Sequence, residues 1–226
     1  MTEKSKYFLF GAVGLLAGVA ICAATKRRKE FLGGLFNFGK KKSPKSILFI
    51  GDSITADPRY SYPALIRKAR PDLNIDVLAK GGQTTKWMAD NLPIKLAAKN
   101  YDRVYIYGGV NDAYTANLKI PDTPVANVQK MIDLIRKDGA EAYVILGYEP
   151  IPFMDYRKMP VNRYIRRKED YIPLIERYKQ LQSAYASRLR NAILVRKFNL
   201  GTLTSDGTHP SGTGQQKISD EILKTI

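Results

Sequence analysis

The chain has 226 residues, enough for one domain of ordinary size and an appendage. Apolar residues make up 44% and charged residues 26%, which excludes a disordered chain as the starting expectation, and a single cysteine, Cys22, excludes an intrachain disulfide or a cysteine zinc cluster. The net charge is +16, and residues 1–46 carry ten Lys/Arg against two Glu, so half of the excess falls in the first fifth of the chain.

That first fifth is organised around "YFLFGAVGLLAGVAICAAT", residues 7–25, which holds no charge. As a helix it would span about 28 Å, close to the hydrocarbon thickness of a bilayer. The reading is an N-terminal transmembrane anchor, residues 1–25. A cleaved signal ending at "CAA" (22–24) is the rival reading, and "KRRK" (26–29) argues against it, because a basic cluster at the end of an apolar run resists translocation. Residues 26–45 then form a basic juxtamembrane linker whose lysines would meet anionic lipid. A membrane surface is thus the better partner for the basic excess than nucleic acid, for which no specific signal is present. The heavier cationic flank lies after the apolar run, which favours a membrane location with the main domain on the cytoplasmic side.

From residue 46 to 226 strands and helices alternate. "SILFI" (46–50) predicts a strand and "SYPALIRKA" (61–69) a helix. "IDVLA" (75–79) is a strand, followed by a helix over 84–99 that Pro93 should kink or split. "RVYIYGG" (103–109) is a strand. The helix over 123–139 places Val125, Val128, Ile132 and Ile135 on one face and stops at a glycine. "AYVILG" (142–147) is a strand, 169–190 a long helix, "AILV" (192–195) the fifth strand, and 211–226 a last helix. This alternation, with continuous apolar strands, predicts a parallel sheet covered by helices on both faces.

In such a sheet ligands bind at the carboxyl ends of the strands. The segments there are "GDSIT" with Ser53, "KGGQTT" with Gly82, "GGVND" with Asn111, and "SDGTHP" with Asp206 and His209, the only histidine. Alone, each has a plain structural reading: Ser53 a cap, Gly82 a tight turn, Asn111 a turn residue. Together, in this order on one rim, they suit acyl transfer. One histidine and one cysteine cannot build a typical zinc site, and no P-loop string is present. A long connection after the fourth strand is basic and aromatic, with Tyr148 and Arg163; it is either a substrate-recruiting lid or a solvated loop.

On these four strings the chain resembles the SGNH hydrolases, the GDSL esterases and lipases, over residues 46–226. The resemblance implies a flavodoxin-like three-layer α/β/α sandwich with a five-stranded parallel sheet of order 2-1-3-4-5. It implies a serine ester hydrolase that needs no metal or cofactor. Ser53 would be the nucleophile, His209 the base and Asp206 its orienting carboxylate. The N–H groups of Ser53 and Gly82 and the amide of Asn111 would form the oxyanion hole. Asp52, Tyr148 and Arg163 are expected to contact substrate. The family includes lipases, lysophospholipases, thioesterases and carbohydrate O-deacetylases, and the basic segment favours a short acyl group on an acidic glycan. The competing readings are a lipase acting on membrane lipid and a binding protein that keeps the fold without turnover.

Overall fold

The computed structural model describes residues 44–115, 118–147, 168–195 and 209–226, with the side chains of 168–173 left aside. The anchor expected at 7–25 and nearly all of the linker expected at 26–45 lie outside these residues. Among the described residues no helix is long and apolar enough to cross a membrane.

Five strands, β1 (Ser46–Gly51), β2 (Asn74–Ala79), β3 (Arg103–Tyr107), β4 (Glu141–Ile145) and β5 (Ile193–Val195), form one parallel sheet of order β2-β1-β3-β4-β5. Seven helices are described: α1 (Ser53–Ala56), α2 (Tyr62–Ala69), α3 (Thr85–Ala98), α4 (Val110–Tyr114), α5 (Asp122–Lys137), α6 (Lys168–Arg188) and α7 (Gly212–Leu223).

Both faces of the sheet are covered because successive strand residues point to opposite sides. Leu48 and Ile50 of β1, Val104 and Ile106 of β3, and Ala142 and Val144 of β4 pack with Met88 and Leu92 of α3 and Val128, Ile132 and Ile135 of α5. Their neighbours Ile47, Phe49, Tyr105, Tyr107, Tyr143 and Ile145 face the other way, onto Tyr62 and Ile66 of α2 and Ile218 and Ile222 of α7. That second layer is aromatic. Phe49, Tyr105 and Tyr143 are laterally paired on β1, β3 and β4, with ring centroids 5.1 and 4.5 Å apart. The register sets these three aromatic residues side by side, so ring can stack on ring along the hydrogen-bonding direction. The face expected on α5 is the buried one: Val125, Val128, Ile132 and Ile135 are all core residues.

One expectation is corrected. Pro93 does not split its helix; α3 runs unbroken from Thr85 to Ala98. Pro93 and Ile94 form an exposed turn of it, on the side away from Leu92 and the sheet, where the lost backbone bond disturbs no packing. Two short helices, α1 and α4, stand where the sequence suggested only turns, and both follow directly on strands at the carboxyl rim.

Because β1 lies between β2 and β3, the connections leaving β1 and β3 diverge, and a crevice opens between their carboxyl ends. Ser53, Gly82, Asn111 and His209 lie on segments that follow these strands or reach them.

Candidate active site

The turn after β1 is built by three consecutive residues. Gly51 ends the strand against Thr55; a side chain at 51 would collide with the Thr55 hydroxyl and approach the Tyr107 carbonyl. Asp52 caps α1, its Oδ1 accepting from the Ile54 N–H at 3.0 Å. Ser53 is then the first residue of α1, half-buried, on the rim.

His209 reaches it from 156 residues away. Ser53 Oγ and His209 Nε2 are 2.8 Å apart, a hydrogen bond in which an unprotonated Nε2 would accept the serine proton. His209 precedes Pro210 and Ser211, the N-cap of α7, whose Oγ accepts from the Gly214 N–H at 3.2 Å. His209 is therefore held at the entrance to a regular helix.

The loop after β2 closes on Ser53. A Cβ placed on Gly81 would stand 3.7 Å from Ser53 Cβ, an ordinary contact distance. Gly82 adopts φ +74°, in the left-handed region that suits glycine. Asn111, the second residue of α4, donates from Nδ2 to the Gln83 carbonyl at 3.0 Å. This bond fixes the amide plane and leaves the second N–H of the NH2 group for another acceptor.

Beside it, Asp112 performs a task the sequence did not announce. It is 0% exposed and accepts from the Thr85 N–H at 2.9 Å and the Thr85 hydroxyl at 2.6 Å. Asn127 of α5 donates in turn to Thr85 Oγ1 at 3.1 Å. Asn111 and Asp112 together thus clamp the glycine loop at Gln83 and at the start of α3. Burial raises the Asp112 carboxyl, against the lowering effect of both Thr85 bonds. Only the adjacent "ND" in the sequence hinted at this; the partner, Thr85, lies 27 residues away.

Asp52 is placed differently from expectation. It is 1% exposed, and its Oδ1 is committed to the α1 cap, so it braces the Ser53 turn from beneath and offers no surface to a substrate. Burial pushes its carboxyl up to about 7; the Ile54 N–H and His209 pull the other way, and Asp112 adds to the rise. Asp206, Tyr148 and Arg163 lie outside the described residues. Among the described residues no cluster of His, Cys, Asp and Glu suits a metal ion.

A sequence profile of the GDSL-like lipase/acylhydrolase family matches residues 49–217, which run from the fourth residue of β1 into α7 and include Ser53, Gly82, Asn111 and His209. The chain belongs to this family. No curated protein matches it in sequence. Solved structures share the GDSL-family fold at low identity. TesA is similar with a TM-score of 0.59 at 24% identity, over 80% of this chain and 97% of that one. A member of the lipolytic G-D-S-L family from Veillonella parvula gives 0.59 at 16%, over 80% and 98%. The acetylxylan esterase Axe2 from Geobacillus stearothermophilus gives 0.54 at 18%, over 80% and 93%. These likenesses carry the fold of a GDSL hydrolase and leave its chemistry to the residues.

Proposed function

We propose that this GDSL-family protein is a serine ester hydrolase that removes a short acyl group, acetyl above all, from a glycan or similar ester. The observation that carries the reading is the 2.8 Å contact between Ser53 Oγ and His209 Nε2. A hydroxyl bonded to an imidazole nitrogen at a strand-to-helix turn is the arrangement an activated serine requires.

In this mechanism Ser53 Oγ attacks the ester carbonyl while His209 Nε2 takes the hydroxyl proton. The imidazolium then gives that proton to the leaving alcohol. Water, deprotonated by the same nitrogen, attacks the acyl-enzyme, and the acid leaves as Ser53 recovers its proton. For Nε2 to accept, the ring must carry its proton on Nδ1, and Asp206, three residues before His209, is the carboxylate proposed to hold that tautomer. The oxyanion would be met by the backbone N–H groups of Ser53 and Gly82 and by the free N–H of Asn111. Removing one donor of this kind costs roughly 3–4 kcal/mol in the barrier. The fixed amide plane of Asn111 supports its part, since a donor already oriented needs no reorganisation during reaction.

The preference for a short acyl group rests on the basic, aromatic composition of residues 148–171, which favours an acidic glycan over a lipid tail. The fold shared with an acetylxylan esterase is consistent with it. The uncharged segment 7–25 supports tethering at a membrane, with the basic residues 26–45 against the headgroups. The test is hydrolysis of a chromogenic acetyl ester together with labelling by a fluorophosphonate. Wild type should turn over the ester and label; Ser53→Ala should fold and do neither. Equal labelling of the two proteins would remove Ser53 from the nucleophile role.

A further inference from the structure

We infer that Gln215 is a positioning residue that sets the approach of Ser53 to His209. Gln215 stands in the first turn of α7, six residues after the histidine, and is 8% exposed. Its side-chain amide makes two buried bonds to a distant part of the chain. Oε1 accepts from the Tyr62 N–H at 2.9 Å, and Nε2 donates to the Ile54 carbonyl at 3.1 Å.

Both partners are groups that helix ends leave without an intrahelical bond. Ile54 follows the nucleophile directly in the four-residue α1. Tyr62 opens α2, and its N-cap residue, Ser61, makes no side-chain capping bond there. One planar amide therefore spans both ends of the segment that leaves the nucleophile turn. It ties that segment to the helix whose entrance carries the base.

On the histidine side the path is stiff as well. Gln215 N–H donates to the Ser211 carbonyl at 2.8 Å, and Ser211 caps α7 two residues beyond His209. Between Gln215 and each member of the reacting pair there are only a capped helix start and one residue of α1. Gln215 thus bonds through its side chain to the residue next to Ser53 and through its backbone N–H to the helix entrance that follows His209.

This rests on the hydrolase reading, in which the Ser53–His209 distance controls the rate. Misplacing reacting groups by about 1 Å costs on the order of 100-fold. Gln215→Leu keeps the side chain's approximate volume and removes both bonds. The expected result is a folded protein whose kcat on a chromogenic acetyl ester falls about 100-fold with KM little changed, because the bonds hold catalytic groups and touch no substrate.

A second readout is independent of turnover. His209 is the only histidine, so its imidazole gives a single, self-assigned set of ring resonances. Those resonances should move in Gln215→Leu toward their positions in Ser53→Ala, where the hydroxyl partner is gone. If Gln215→Leu does not fold, Gln215→Glu replaces it: the acceptor for Tyr62 remains, the donor to Ile54 is lost, and the same two changes are expected in smaller measure.

A folded variant that keeps the wild-type imidazole resonances overturns the inference, as does an imidazole shift with wild-type kcat. If wild type itself proves inert on esters, the imidazole comparison still decides: a shift in Gln215→Leu upholds the positioning role while the hydrolase reading fails.

Discussion

Replacing Asp52 by Asn keeps an oxygen to accept the Ile54 N–H at the α1 cap and removes a carboxylate from a site that is 1% exposed. The energetic consequence depends on pH. Burial pushes the Asp52 carboxyl from an ordinary 3.8 up to about 7, so between those values the folded protein holds a proton that the unfolded chain has released. Stability must then fall as pH rises through this window, since the unfolded state binds fewer protons. A separation of about 3 pH units at 1.36 kcal/mol each makes the loss on the order of 4 kcal/mol. Asp52→Asn has no proton to release. Its stability relative to wild type should therefore rise steadily between pH 4 and pH 7 and level off above, by an amount of that order. Urea denaturation of both proteins at half-unit pH steps measures the difference, and most other titrating groups cancel in it. A difference that stays flat from pH 4 to pH 8 would refute the argument, and would mean that the Asp52 carboxyl ionises as readily in the fold as in the open chain.

The clamp on the glycine loop gives a second expectation: Thr85→Val removes one buried bond to the Asp112 carboxylate and should cost about 1.5–3 kcal/mol in urea unfolding, with a lower kcat, whereas an unchanged midpoint would show the bond to be idle. Gly51→Ala should destabilise by roughly 1–3 kcal/mol and lose activity, because the added carbon collides with Thr55 beneath the nucleophile turn; a thermal melt equal to wild type would count against that contact. Since His209 must be unprotonated to accept the Ser53 proton, kcat/KM should fall in acid through one protonation, and a rate flat from acid to neutral pH would remove it from the base role. Acetyl and butyryl esters should be hydrolysed faster than palmitoyl esters, and the reverse order would favour a lipase.

The sheet was legible because parallel strands buried on both faces read as unbroken apolar runs, and "SILFI" and "RVYIY" could be little else. The short helices α1 and α4 were not, since four or five residues contain no helical period to detect. Pro93 did not split its helix because the cost of proline depends on whether its turn is packed, and that is a tertiary fact. In the site, Ser53 and His209 were found by residue type and motif, and the fold brings them into hydrogen-bond contact. What stayed hidden were the residues acting at a distance. Thr85 reads as an ordinary helix start and Gln215 as one of two adjacent glutamines until the fold sets them beside Asp112 and Ile54. Asp52 was misassigned for a related reason: a carboxylate beside a nucleophile suggests contact with substrate, whereas the cap turns it inward.

The separation of 156 residues between Ser53 and His209 also bears on the protein's synthesis. Ser53, both loops proposed to meet the oxyanion, and all five strands leave the ribosome before His209 does. Until α7 docks on α2 and Gln215 closes onto Ile54 and Tyr62, Ser53 lacks its imidazole partner although every strand of the sheet has been made. On the proposed hydrolase mechanism, a nascent or stalled chain is thus hydrolytically silent, and reactivity arrives with the last helix. Fluorophosphonate labelling of ribosome-bound chains of increasing length would read out that moment of maturation directly.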